Sequence, residues 1–99
     1  RERVSVGVAY GSDVDLVTKI LEEVAFNQKQ VLKNPKPFVL FEDFGDSALI
    51  FSIYFFTNDT FRDPRIKSEM RYKINTKFKE NNVTIPFPQR DVHIFQPKQ

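Results

Sequence analysis

Hydrophobic and polar residues alternate strictly over residues 3–10. The larger apolar side chains would all point to one face of a strand: Val4, Val6, Val8 and Tyr10. Small or polar residues occupy the positions between them: Arg3, Ser5, Gly7 and Ala9. A period of two is typical of a β-strand. The pattern therefore predicts a first strand with one bulky face and one nearly bare face.

Two later segments follow the helical period instead. The first begins at Ser12, which has a capping-box spacing with Asp15, and continues to about residue 27. The second runs from about Pro64, which suits a first helical turn, to Asn81, and residues 81–82 (Asn-Asn) can end it. The predicted core positions of both helices are Val17, Ile20, Leu21, Val24, Ile66, Met70, Ile74 and Phe78.

Residues 38–57 between these helices predict a β-hairpin. Its strands are residues 38–44 and 48–57, and residues 45–47 (Gly-Asp-Ser) supply the turn. Residues 83–85 predict a short last strand. The order β-α-β-β-α-β is that of an α+β, ferredoxin-like sandwich. We therefore expect residues 1–86 to place two helices on one face of a four-stranded antiparallel sheet with the order 4-1-3-2.

The second strand of the hairpin is apolar on both faces. Its two faces carry Leu49, Phe51, Ile53 and Phe55 on one side, and Ile50, Tyr54 and Phe56 on the other. A sheet with one face in water normally alternates apolar with polar residues. The pattern predicts that a neighbouring domain or another subunit covers the open face. The alternative is that loops of the same chain cover Ile50 and Phe56.

A proline-led tail follows the predicted domain. Pro86 and Pro88 flank Phe87 and can neither continue a helix nor sit inside a sheet. We interpret these three residues as a turn that directs residues 87–99 outward as an extended tail. The tail alternates apolar and polar residues over a short run: Asp91, Val92, His93, Ile94 and Phe95. The prediction is that this run pairs with something outside the chain.

Composition narrows the possible chemistry. The 99 residues contain no cysteine and one histidine, which excludes disulfides, thiolate metal sites, cysteine catalysis and most histidine-rich metal sites. The formal net charge of +2 is too small to indicate nucleic acid, although residues 61–80 carry a local excess of four positive charges. We interpret this excess of positive charge as the solvated face of a helix. The absence of an initial methionine and of any long apolar span predicts a piece of a longer protein that does not itself insert in a membrane.

Few residues could carry a reaction. Glu42, Asp43 and Asp46 could form an acid–base pair or a hard-cation site, but such residues also belong to solvated turns. Residues 10–13 (Tyr-Gly-Ser-Asp) could cradle an anion, but they contain one glycine and no arginine, and helix capping explains them. His93 has no second ligand type near it in sequence. We therefore predict no enzyme activity, no catalytic residue, no metal and no cofactor.

Two other functions share this topology. A regulatory module would bind a small ligand at the Gly11 loop. An RNA-binding module would stack bases on aromatic residues of its first and third strands. The first strand offers only Tyr10, at its end, and the basic second helix would lie on the other face of the sheet. We therefore expect no nucleic-acid partner.

Four ordered runs carry a resemblance to a known family. They are residues 6–13 (VGVAYGSD), 31–35 (VLKNP), 39–47 (VLFEDFGDS) and 85–94 (IPFPQRDVHI). Arg71, Ile74 and Phe78 also match the family pattern of the second helix. Over nearly its whole length the chain resembles the carboxy-terminal cytoplasmic α/β domain of the small-conductance mechanosensitive ion channels. One departure is residues 81–82 (Asn-Asn), where the family commonly has glycine.

The resemblance implies a function in a bacterial inner membrane, with this domain on the cytoplasmic side. In that family, membrane helices form a tension-gated pore and are followed by a β-rich domain and then by this α/β domain. Seven sister subunits form a hollow cage that acts as a vestibule for ions and small solutes during osmotic downshock. The tails join as strands of a small barrel, which assigns Asp91, Val92, His93, Ile94 and Phe95 to an intersubunit strand. The partners implied are the sister subunits of a homoheptamer, the upstream β-rich domain and the membrane helices.

Overall fold

The computed structural model describes residues 1–88 of the protein. The elements follow in the order β1 (Glu2–Val8), α1 (Val14–Asn27), β2 (Phe38–Phe44), β3 (Leu49–Phe55) and α2 (Asp63–Glu80), with a short 3-10 turn at Thr60–Arg62 before α2. The predicted elements up to the second helix are confirmed, with ends that shift by one or two residues. The α+β class is confirmed as well.

The three strands form an antiparallel sheet in the order β1-β3-β2. Val4 of β1 lies opposite Ile53 of β3, and Val39 of β2 lies opposite Ile53 from the other side. A bulge between Phe41 and Asp43 shifts the register of β2 by one residue. This order agrees with the predicted 1-3-2 part of the sheet and leaves β2 at an edge.

The predicted fourth strand at residues 83–85 is not a strand in the described part of the chain. The backbone N–H of Ala9, just after β1, donates to the carbonyl of Thr84 at 2.8 Å. That contact places the segment beside the first strand, as the order 4-1-3-2 requires, but one bond does not make a ladder. Asn82 has a φ of 58°, and Pro86 has no N–H to donate, so the segment is too short for regular pairing.

Helix α1 is capped by Asp13 rather than by Ser12. The Asp13 carboxylate accepts from the backbone N–H of Leu16 at 3.1 Å, whereas the Ser12 hydroxyl donates to the carbonyl of Ala9 at 2.6 Å. The predicted capping box at Ser12 was therefore wrong by one residue. Asp13 suits the role because its charge also interacts favourably with the positive end of the helix dipole.

Helix α2 begins with Pro64 in its first turn and ends at two asparagines. The backbone N–H of Asn81 donates to the carbonyl of Lys77, and Asn82 takes the left-handed conformation that glycine usually supplies. The predicted ending by these asparagines is confirmed. Their short polar side chains tolerate a positive φ better than other side chains do.

The core lies between the two helices and one face of the sheet. All eight helix positions predicted to be buried are at most 3% exposed: Val17, Ile20, Leu21, Val24, Ile66, Met70, Ile74 and Phe78. The sheet contributes apolar side chains that are at most 5% exposed: Val4, Val8, Leu49, Phe51, Ile53 and Phe55. Burial of this apolar surface is the main stabilising contribution to the fold.

One polar side chain, that of Gln28, lies inside this packing at 1% exposed. Its amide nitrogen donates to Gln30 and to Glu69, both at 2.8 Å, and its amide oxygen accepts from Lys73 at 2.8 Å. The network ties the end of α1 to the middle of α2. Because every polar atom of the Gln28 side chain has a partner, its burial does not leave an unsatisfied group.

Candidate assembly surfaces

The central strand β3 is apolar on both faces, as the sequence predicts. Leu49, Phe51, Ile53 and Phe55 point towards the helices and are at most 5% exposed. Ile50 and Tyr54 point to the opposite face, which carries no helix, and are half-buried. That open face is the first candidate for contact with another protein surface.

Exposed apolar side chains from β2 extend the open face. Phe38 lies opposite Tyr54 and stacks on it with 5.1 Å between ring centroids, and Leu40 lies opposite Ser52. Phe38 and Leu40 are 38% and 45% exposed. Beneath them, the hydroxyls of Ser5 and Ser52 share a hydrogen bond of 2.8 Å. The open face therefore exposes apolar side chains around one hydrogen-bonded pair of serine hydroxyls.

The sequence left open whether loops cover Ile50 and Phe56. Both are half-buried in the structure. Ile50 lies beside two glycines, since a Cβ added to Gly7 or Gly45 would be 3.6 or 3.3 Å from its terminal methyl. The carbonyl of Phe56 accepts from the N–H of Leu32 at 2.8 Å, which brings the loop after α1 alongside. The chain therefore covers these two residues partly by itself and leaves Phe38 and Leu40 exposed.

Sequence reasoning missed a second apolar surface, on the helix-facing side of the edge strand β2, where Phe41 and Phe44 lie opposite Phe51 and Leu49. Phe41 and Phe44 are 41% and 71% exposed, and their ring centroids lie 5.1 Å apart. Phe41 also stacks on buried Phe51 at 4.7 Å, so the pair is anchored to the core. The signal was present in the sequence, because Pro35 and Pro37 directly before β2 are typical of an edge strand, where side chains on both faces can meet solvent.

The structure places the acidic residues near the hairpin at the protein surface. Glu42, Asp43 and Asp46 are exposed, and Glu42 accepts from the Tyr54 hydroxyl. Residues 1–88 contain no group of three or more His, Asp or Glu side chains that could hold a metal ion. The three carboxylates therefore add negative charge to the hairpin, and Glu42 and Asp43 lie on the open face, beside Tyr54 and opposite Ile50.

The loop at residues 10–13 uses its polar groups for local structure. Gly11 has a φ of 91°, Ser12 and Asp13 make the bonds described for the start of α1, and the Tyr10 hydroxyl donates to the carbonyl of Gly45. Tyr10 is 53% exposed and does not continue the buried face of β1. The interpretation of this loop as a capping structure is supported.

Helix α2 carries six of the fifteen lysines and arginines of the chain. Lys67 lies 3.1 Å from a Glu2 carboxylate oxygen and 3.2 Å from one of Asp63. Partial burial lowers the pKa of Lys67, but the hydrogen bonds and charges of Glu2 and Asp63 outweigh that effect and raise its pKa overall. The ion pairs of Lys67 therefore hold α2 against β1. Three other cations of α2 have no acidic partner within 4 Å among residues 1–88: Arg65, Arg71 and Lys79.

The proline-led turn lies only partly in the described chain. Pro86 is half-buried, Phe87 is 86% exposed and Pro88 is exposed, and none of them is in a helix or strand. The predicted intersubunit strand lies outside the described residues: Asp91, Val92, His93, Ile94 and Phe95. Its pairing stays a prediction.

Comparison with known proteins identifies the family. The family model described as "Mechanosensitive ion channel MscS, C-terminal" matches residues 2–85. The chain belongs to the MscS family. The resemblance that the four sequence runs indicated is thereby confirmed, and the match ends just before the proline-led turn.

Relatives and a solved structure agree with this assignment. An uncharacterized MscS family protein of Synechocystis sp. is 36% identical over 94% of this chain and 31% of its own length. The mechanosensitive channel MscK of Escherichia coli is 33% identical over 96% of this chain and 8% of its own length. The crystal structure of Helicobacter pylori MscS in its closed state is 32% identical, with a TM-score of 0.76, over 97% of this chain and 39% of that chain.

The chain thus spans about a third, or less, of the length of the relatives it matches. None of the helices in residues 1–88 has the length and apolar character needed to cross a membrane.

Proposed function

We propose that this chain is the α/β domain of the cytoplasmic cage of a bacterial small-conductance mechanosensitive channel. In this role it mediates subunit assembly and forms part of the vestibule through which ions and small solutes reach a tension-gated pore in the inner membrane. The observation that carries the proposal is the agreement in fold with Helicobacter pylori MscS, at a TM-score of 0.76 over 97% of this chain.

The exposed apolar side chains support an assembly role. Phe38, Leu40, Phe41 and Phe44 all come from one strand and are 38% to 71% exposed. Phe38 and Leu40 lie on the open face, and Phe41 and Phe44 lie on the helix-facing side. Exposed apolar surface commonly marks a site of protein–protein contact. We propose that an upstream β-rich domain covers the open face and that sister subunits of a homoheptamer meet at other surfaces. The domain itself has no catalytic role and no nucleic-acid partner in this proposal.

The tail would close the cage. In this proposal, Pro86, Phe87 and Pro88 direct the chain away from its own sheet, and Asp91, Val92, His93, Ile94 and Phe95 form one strand of an intersubunit barrel. The hydrogen-bond partners of that strand would all belong to other subunits. A single substitution there is therefore repeated around the ring.

The test uses Val92→Pro, with Val92→Ala as its matched control. Proline removes one ladder N–H from every subunit, whereas alanine shortens the same side chain and keeps that N–H. Each lost backbone bond should cost about 0.5–1.5 kcal/mol, multiplied by the number of subunits. We expect Val92→Pro to lower the melting temperature of the assembled complete natural chain well beyond Val92→Ala, and to leave the melting temperature of residues 1–99 unchanged.

Two further measurements judge the proposal as a whole. Native mass spectrometry of the complete natural chain should show a ring of copies, and patch-clamp recording in bacterial membranes should show tension-activated conductance. A monomeric complete chain without conductance would contradict the proposed function. Equal loss of stability in residues 1–99 and in the assembly would show that the tail packs on its own domain.

A further inference from the structure

A cleft with a volume of about 380 Å³ opens between helix α1 and the segment that leads into β2. Four residues of α1 line one wall: Lys19, Glu22, Glu23 and Phe26. Two residues of the segment before β2 line the other wall: Lys36 and Pro37. This volume lies at the lower end of the range of small-molecule sites. The cleft therefore has room for a small organic molecule.

The α1 wall of the cleft is one face of the helix. Its four residues are three or four positions apart, so they follow one another along the same side. From Lys19 to Phe26 the wall is about 10 Å long. Phe26 is 49% exposed, and the ammonium group of Lys33 lies 4.2 Å from the centroid of its ring. Because Phe26 lines the cleft and Lys33 does not, the ring presents apolar surface to the cleft.

The segment that forms the other wall is attached to the rest of the fold. Pro37 is buried, and the Lys33 ammonium donates to the carbonyl of Phe26 at the end of α1. The backbone N–H of Leu32 donates to the carbonyl of Phe56 at 2.8 Å. A ligand would therefore enter a cleft whose walls are already in place, which lowers the entropic cost of binding.

The two walls carry unpaired charges of opposite sign. Glu22 is exposed and has no lysine or arginine within 4 Å among residues 1–88, and Lys36 has no carboxylate within 4 Å in the same part of the chain. Glu23 is different, because it lies 3.9 Å from Lys77 of α2. Lys19, one turn before Glu22, adds a second cation to the cleft. The cleft thus offers a carboxylate on one wall and an ammonium group on the other, beside apolar surface.

We propose that this cleft binds a free amino acid with an apolar side chain. The ammonium group of the ligand faces Glu22, its carboxylate faces Lys36, and its side chain lies against Phe26 and Pro37. A ligand with charge of only one sign leaves one wall without a partner, so the cleft discriminates against it. The inference concerns a bound small molecule, and it goes beyond the proposed role in assembly and does not depend on it.

Nuclear magnetic resonance of isotope-labelled residues 1–99 tests binding directly, with L-leucine and L-phenylalanine as probes. We expect saturable shifts of the backbone amides of residues 19–27 and of Lys36, and none in residues 68–76 of α2, which face away from the cleft. The absence of saturable shifts up to about 10 mM of either probe would overturn the proposal. Shifts spread evenly over both helices would overturn it as well.

Two analogues of leucine test the requirement for both charges. Isocaproate has the carboxylate and the side chain of leucine without its ammonium group, and isoamylamine has the ammonium group and the side chain without the carboxylate. Each analogue loses one charge pair, so each should bind about ten-fold more weakly than leucine or worse. Isocaproate that binds as tightly as leucine would show that Glu22 does not hold an ammonium group, and would overturn the assignment of a zwitterion.

Variants of the two charged walls identify the site. Lys36→Gln should weaken leucine binding by about ten-fold, whereas Lys29→Gln, which removes an exposed lysine that does not line the cleft, should bind leucine as wild type does. Glu22→Gln should weaken the binding of leucine and not that of isocaproate, because the lost carboxylate faces only the ammonium group. Equal effects of Lys36→Gln and Lys29→Gln would show a general effect of net charge and contradict the site.

The same spectra reveal whether a second copy of the chain occupies the cleft instead. Shifts of residues 19–27 that depend on protein concentration, without any amino acid present, would show this and overturn the proposal. The proposed function is judged separately, by native mass spectrometry and patch-clamp recording of the complete natural chain. A channel that conducts under tension while residues 1–99 bind no amino acid would overturn the ligand site alone.

Discussion

Strands β2 and β3 are neighbours of equal length and similar apolar content, but their surroundings differ. Both have seven residues, and five in β2 and six in β3 are apolar or aromatic. In β3, five of the seven residues are buried, whereas in β2 none is fully buried. The difference comes from position: α1 packs against both strands, but β3 has a strand on each side, while β2 has a strand on one side only. Apolar content thus predicts a strand, and its place in the sheet decides whether those side chains serve the core or a partner.

The largest expected effect is in β3. Phe51 is 0% exposed, so Phe51→Ala should remove about 3–5 kcal/mol from the free energy of unfolding, through lost burial and the cavity left behind. Urea unfolding of residues 1–99 measures it. A loss below about 1 kcal/mol would mean that β3 is no better buried than β2, and the contrast would fail.

The second expected effect concerns the polar group buried beneath the helices. Gln28→Ala removes three hydrogen bonds and leaves Glu69 and Lys73 without their partner, so we expect a loss of about 1–3 kcal/mol. Gln30→Ala is the control, because it removes one of those bonds at a half-buried side chain. Equal losses in the two variants would show that the hydrogen bonds of Gln28 to Glu69 and Lys73 add nothing to the stability of the fold.

A smaller effect is expected from Lys67, and it depends on pH. Because the folded-state pKa of Lys67 is raised, its ion pairs stabilise the fold below the unfolded-state pKa of about 10.4 and lose that effect as the pH rises through the folded-state pKa. The side chain is 23% exposed, so the contribution should be about 1 kcal/mol or less.

Lys67→Met tests this, with Lys79→Met as control. The stability difference between wild type and Lys67→Met should shrink between about pH 8 and about pH 11.5, where lysine deprotonates. Lys79→Met removes a lysine that has no acidic partner in the described residues, so it controls for the loss of a surface charge. A difference for Lys67→Met that grows with pH would reverse the sign of the assigned interaction.

The smallest expected effect is in β2. Phe44 is 71% exposed, so Phe44→Ala should change the unfolding free energy of residues 1–99 by no more than about 0.5 kcal/mol. The same chemical change thus has a large effect at Phe51 and almost none at Phe44. A loss above about 2 kcal/mol at Phe44 would show that this ring packs on its own domain.

Most of the fold was predictable because local patterns and tertiary packing agree. The spacing of four apolar residues predicted both helix α2 and its buried face. All four are at most 3% exposed: Ile66, Met70, Ile74 and Phe78. The start of α1 was predicted one residue too early because two neighbouring residues suit the capping position equally well. Ser12 and Asp13 are both good helix caps, and only the path of the chain after Gly11 decides between them.

The candidate surfaces were harder to predict for a different reason. The predicted order 4-1-3-2 placed β2 at an edge, but the alternation in β2 could not show how far each side chain would be exposed, so the exposure of Phe44 was not predicted. The predicted strand at residues 83–85 depends on a ladder that Pro86 cuts short.

The bulge in β2 has a consequence for the behaviour of the protein at high concentration. An exposed strand with four large apolar side chains would ordinarily template the growth of fibrils, because a second molecule could extend its ladder of N–H and C=O groups. The shifted register between Phe41 and Asp43 interrupts that ladder midway along the edge. An incoming strand can match one half of β2 but not both. The bulge thus limits edge-to-edge pairing at the same strand that exposes the phenylalanine side chains.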